Sequence, residues 1–152
     1  MPTATRSRTF AAPLEDVWEL IGDPHHLPRW RPRVERVEDV RDGSFTEVMR
    51  TAKGKVVRAD FQLARVDPVA RSLCWEQLLV GTPFEGLFSL AETEITLAQM
   101  GTGTQVTIEL RQTLTGGIGR ITGANRLGSV MVRRAAVRTV DEALSNLEQI
   151  IG

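Results

Sequence analysis

The side chains with chemistry to offer are few. His25 and His26 are the only histidines and are adjacent in the chain. Neighbours in sequence point differently, and no cysteine pair or second histidine group completes a ligand set, so no metal is expected. Cys74 is the single cysteine, set between Leu73 and Trp75 with no histidine near it to activate its thiol. It reads as a packing residue rather than a nucleophile. The sharper signal is the C-terminal run Ile118–Ile151, where Val130, Val137, Val140, Leu144, Leu147 and Ile151 form one stripe at 100° per residue. With Leu144 as reference, Arg126 and Arg133 fall within about 20° of it and Ser129 within about 60°. The stripe is therefore apolar from Val137 onward and polar between Arg126 and Arg133. A buried guanidinium must be paired or meet an anion, so Arg133, with Arg126, is a candidate to greet a carboxylate or enolate. The alternative is that this end projects beyond its support and both arginines snorkel or pair with strand carboxylates. Two further candidates lie in the strands. Glu47 is in phase with Phe45 and Met49, and Gln112 shares the face of Val106, Ile108 and Leu110.

These groups need elements to position them. If helical throughout, Ile118–Ile151 spans roughly 50 Å at about 1.5 Å per residue, too long for a compact domain unless something broad lies beneath it. The preceding chain supplies that breadth as strands. Thr3–Ala11 is a first strand. Pro13 then opens a helix with Glu15 and Asp16 in its first turn, its apolar face is Val17, Trp18, Leu20 and Ile21, and Gly22 stops it. DPHHLPRWRP allows only one short helical turn, capped by Asp23 and closed by a buried Trp30. Six strands follow: Arg33–Arg41, Ser44–Thr51, Val56–Val66, Ala70–Val80, Phe84–Gln99 and Thr104–Leu114. In the first of these, valines at 34, 37 and 40 suit neither regular period and point to a bulge. Asp42-Gly43 marks a hairpin. Phe84–Gln99 is long enough to bend or to break near Gly86.

The chain has 152 residues and is 41% hydrophobic, consistent with one domain over residues 1–152 and a core of its own. Its 19 basic and 19 acidic residues cancel, which argues against a nucleic-acid partner. The N-terminus has no apolar stretch of signal-peptide length, and no run approaches about 18 apolar residues. A soluble protein without a membrane span, in a reducing cytoplasm, is expected. The glycine-rich entry at 116–128 lacks the Lys-Ser/Thr pair of a phosphate loop.

Phe10-Ala-Ala-Pro13 followed by Val17-Trp18, then Asp23-Pro24, Leu27-Pro28, Trp30, Pro32 and Val34, resemble the START-like (SRPBCC) superfamily, in particular its bacterial polyketide cyclase/dehydrase type. Gly103-Thr104 opening the last strand, and the glycines before an arginine-studded final helix, extend the resemblance over nearly the whole chain. It implies an α+β helix-grip fold: a seven-stranded antiparallel curved sheet around a long C-terminal helix, with two short helices after the first strand. It also implies an apolar cavity between sheet and helix, and no cofactor.

Trp30, Met49, Phe61, Trp75, Phe84, Phe88, Ser129, Val130, Arg133 and Val137 are the expected lining. The leading expectation is binding of a small hydrophobic molecule, lipid or polyketide-like. A cofactor-independent aromatase/cyclase is the second, with Arg133, Arg126, Glu47 and Gln112 as participants; the absence of tyrosine removes one common acid/base group. A protein-interaction or regulatory module is the third, and a homodimer is left open.

Overall fold

The computed structural model describes residues 3–115 and 125–152, with side chains described from Val130 onward in the second segment. β1 (Thr3–Phe10) leads into α1 (Leu14–Gly22), a 3-10 turn (Pro24–His26) and α2 (Leu27–Trp30). Six strands follow: β2 (Val34–Arg41), β3 (Ser44–Arg50), β4 (Val56–Asp67), β5 (Ser72–Leu78), β6 (Phe88–Met100) and β7 (Gly103–Leu114). The last element is α3 (Asn125–Ile151). All seven strands form one antiparallel sheet in the order β1-β7-β6-β5-β4-β3-β2. This is the helix-grip arrangement of sheet and long helix. The expected helical residues 118–124 and glycine-rich entry lie at or beyond the edge of the described segments.

Local chemistry explains the boundaries. Pro13 caps α1, Glu15 and Asp16 occupy its first turn, and Val17, Leu20 and Ile21 are buried beneath it. Asp23 accepts a hydrogen bond from the His25 amide at 3.0 Å, with Pro24 at the first position of the 3-10 turn. The three-residue valine spacing of β2 is realised as register shifts between Val34 and Arg36 and between Glu38 and Arg41, with Asp39 at a φ of 53°. Gly43 turns the β2–β3 hairpin at a φ of 76°. At Gly103 a Cβ would lie 2.3 Å from the carbonyl oxygen of Phe10, so only glycine lets β7 start this close to the end of β1. The expected strand from Phe84 begins at Phe88 instead. The chain between Leu79 and Leu87 is a series of turns, with Thr82 donating through both its amide and its hydroxyl to the carbonyl of Leu79.

The core lies between the concave face of the sheet and the helices. α3 buries Ala136, Val140, Ala143, Leu144 and Leu147 against it. That face is rotated by roughly 60° from the stripe centred on Leu144, because alanines count little in a hydrophobic pattern yet let a helix approach closely. Val137 is only half-buried and Val130 is 49% exposed. Leu27 and Trp30 of α2 are fully buried, and Asn146 of α3 donates to the Trp30 carbonyl at 3.0 Å, tying the short helix to the long one. Among the described residues, no helix is long and apolar enough to cross a membrane.

Candidate functional site

Under the N-terminal half of α3 the sheet and helix separate around a cavity of about 330 Å³. Strand alternation selects its wall: Glu47 and Met49 from β3, Phe61 from β4, Gln77 from β5, and Leu110 and Gln112 from β7. β6 adds Phe88, Ala91 and Thr93, the last paired in register with Leu110. Val132, Ala135, Ala136 and Thr139 roof it from α3, and Phe84 and Leu87 line it from the turns before β6. Small residues on both faces, Ala91 below and Ala136 above, leave the space open.

The cavity's charged side chains among the described residues are Arg31, just beyond α2, and Glu47. Arg31 Nη1 lies 3.4 Å from Glu47 Oε2; the Glu47 side chain is fully buried and that of Arg31 is 13% exposed. The guanidinium also sits over the Phe61 ring, 5.4 Å from its centroid. The ion pair is not a hydrogen bond. Among the described residues, both Glu47 oxygens and Arg31 Nη1 are buried without a hydrogen-bond partner, a costly condition in a low-dielectric site. Burial pushes the Glu47 carboxyl above its ordinary value of 4.5, against the opposing pull of the Arg31 charge. Such a pair can accept or return a proton at Glu47 and hold developing negative charge at Arg31.

Of the residues named above, Met49, Phe61, Phe84 and Phe88 line this cavity, together with Glu47 and Gln112. The two tryptophans do not. Trp30 is buried under the helices, and Trp75 packs edge-on to Phe45 at 5.5 Å, deeper in the sheet. Arg133 is exposed, and with Val130 and Val137 it lines an outer groove beside Arg6, Arg134, Arg138 and Asp141. The α3 residues over the cavity, Val132, Ala135, Ala136 and Thr139, centre roughly 110° around the helix from Arg133, so Arg133 faces away from it. Arg126 and Ser129 lie outside the residues whose side chains are described. His25 is an exposed residue of the 3-10 turn, its Nδ1 2.8 Å from Asp23. Cys74 is buried, and its burial raises the thiol's pKa. On the opposite, convex face, Arg111 gathers Glu94 at 2.8 Å, Glu109 at 3.2 Å and Glu92 at 3.4 Å. Among the described residues no group of three or more histidine, cysteine or acidic side chains is placed to hold a metal ion.

Of the polar cavity residues, Arg31, Gln77, Thr93 and Thr139 escaped the sequence reading, as did the small roof residues Ala135 and Ala136. Gln77 was detectable, since it alternates with Leu73, Trp75 and Leu79. Arg31 lies between a buried tryptophan and a proline, in a stretch with no period to say which way it points.

A family model described as polyketide cyclase/dehydrase and lipid transport matches residues 1–152. No curated protein matches the chain. Among solved structures, TTHA0849 from Thermus thermophilus is 27% identical, with a TM-score of 0.71 over 97% of this chain and 95% of that one. A START superfamily protein from Mycobacterium smegmatis is 13% identical, with a TM-score of 0.73 over 98% and 96%. The di-domain ARO/CYC BexL from the BE-7585A biosynthetic pathway is 20% identical, with a TM-score of 0.77. That match takes in 98% of this chain but 46% of BexL, so this chain spans about half the di-domain protein. With the family model matched from end to end on a seven-stranded helix-grip fold, the chain belongs to the polyketide cyclase/dehydrase and lipid transport family.

Proposed function

We propose that this protein binds one small, mainly hydrophobic molecule in the cavity between the sheet and α3. The observation that carries this reading is the wall itself: Met49, Phe61, Phe88 and Leu110 present apolar surface to an open space, interrupted by a few polar groups. Its volume of about 330 Å³ lies at the lower end of ligand sites, roughly 300–1,000 Å³. A fused aromatic system or a short chain suits it better than a two-chain lipid. Native mass spectrometry of the freshly purified protein, before and after denaturation, is the test. The expected result is an added mass lost on denaturation, or gained on incubation with fatty alcohols, fatty acids or aromatic polyketides, and missing in Ala136→Trp. A bare mass under every condition would contradict it.

The second reading is a cofactor-independent aromatase/cyclase, favoured by the buried Glu47 beside Arg31. In it, Glu47 takes a proton from a carbon flanked by carbonyls and Arg31 holds the enolate oxygen. That carbon bonds to a second ketone carbon, and the carboxyl returns the proton to the resulting alkoxide before water is lost to form the aromatic ring. Glu47→Gln would then abolish turnover of a poly-β-ketone while retaining its binding; unchanged turnover would exclude the role.

A further inference from the structure

We infer that the Arg31–Glu47 pair selects a ligand whose buried head is a neutral hydroxyl, an alcohol or phenol, over one bearing a carboxylate or an ammonium. The inference rests on the cavity being a ligand site, as proposed above, and adds what the wall demands of the ligand. Three buried atoms there lack a hydrogen-bond partner among the described residues: Nη1 of Arg31 and both carboxylate oxygens of Glu47. Nη1 can only donate, and the carboxylate oxygens can only accept. Nη1 and Oε2 are 3.4 Å apart, too far for a good mutual hydrogen bond. A hydroxyl oxygen about 2.8 Å from each completes a triangle with that edge. Its proton goes to Glu47 and its lone pair takes the Arg31 N–H, while Oε1 remains for a second donor on the ligand.

The other head groups do worse. A carboxylate satisfies Arg31 but places like charge against a fully buried carboxylate. An ammonium satisfies Glu47 but faces the guanidinium. A bare hydrocarbon leaves all three atoms unpaired. Among the described residues, no other charged group lines the cavity to change the balance. Phe61, under the guanidinium, and Phe88 give a ring system its apolar walls.

The experiment is calorimetric titration at pH 8 with four probes of one shape: 2-naphthol, 2-naphthoate, 2-naphthylmethylammonium and naphthalene. The expected result is 2-naphthol binding about tenfold or more tighter than each of the others, the effect of one charge-assisted hydrogen bond. In Glu47→Gln, matched in shape and checked by its thermal melt, 2-naphthoate gains and the preference over it falls below about threefold. The ranking in the unaltered protein stands by itself if that variant does not fold. Equal or tighter binding of naphthalene or 2-naphthoate would overturn the inference and leave the cavity reading intact. If none of the four binds and native mass spectrometry shows no ligand, both fall.

Discussion

Between Val140 and Leu147, α3 presses Val140, Ala143, Leu144 and Leu147 onto the sheet with almost no exposed surface. Two turns earlier, between Val132 and Thr139, the same helix crosses the same sheet and roofs a cavity. The difference lies in side-chain volume on the inward face. Leucine and valine fill the interval at one end, where Val106 and Ile108 meet them from β7. Ala135, Ala136 and Thr139 leave it open at the other, where β6 contributes Ala91. One half of the interface supplies stability and thereby holds the other half apart.

The dense end is the more sensitive to substitution. Leu147→Ala removes a fully buried side chain and is expected to cost about 2–5 kcal/mol in denaturant unfolding. A paired substitution sharpens the contrast. Ala143→Leu overpacks the filled half and should cost about 1–3 kcal/mol. Ala136→Leu grows into the cavity, should change stability by less than about 1 kcal/mol, and should abolish ligand uptake.

Glu47 tests the open half through pH. Its carboxyl has a raised pKa in the folded protein, so the folded state binds that proton more tightly than the unfolded chain. The resulting contribution is fully present below pH 4.5, the ordinary glutamate value, and is lost as pH rises through the folded value. Glu47→Gln should therefore gain on the parent as pH rises from 4.5 toward neutral, read as the difference between their unfolding free energies. A difference independent of pH would contradict the assignment. The smallest effect is expected at Arg133. Arg133→Ala, on the exposed side of α3, should change stability by less than about 0.5 kcal/mol and leave ligand binding unaltered.

The architecture was legible because long elements repeat their signals. The valine spacing of β2 announced its bulges, Asp42-Gly43 its hairpin, and the alternation of β7 placed Gln112 on the cavity face. Glu47 was legible by the same rule, as the polar member of a phase shared with Phe45 and Met49. The roof of the site was not. Val130 and Val137 drew the expected stripe toward themselves, whereas the packed face follows Ala136 and Ala143, whose small size conveys proximity but little hydrophobicity. Arg133 was carried inward because the packed stripe was extended toward the N-terminal end, where the face over the cavity is instead Val132, Ala135, Ala136 and Thr139. Trp30 is buried as expected, and Trp75, expected on the cavity wall, is buried in the core, because a pattern of burial does not separate core from cavity wall. Arg31 emerges only when the chain after α2 is placed against β3 and β4, a contact between segments that no local period encodes.

On the proposed function, ligand enters beneath the N-terminal half of α3 rather than lodging on its outer face. Amide chemical-shift mapping of the isotope-labelled protein during titration with 2-naphthol tests it directly. The largest shifts are expected at Glu47, Phe61, Phe88 and Ala136, with Arg133, Arg134 and Arg138 little changed. Shifts concentrated on those three arginines and Arg6, with the cavity residues silent, would contradict it.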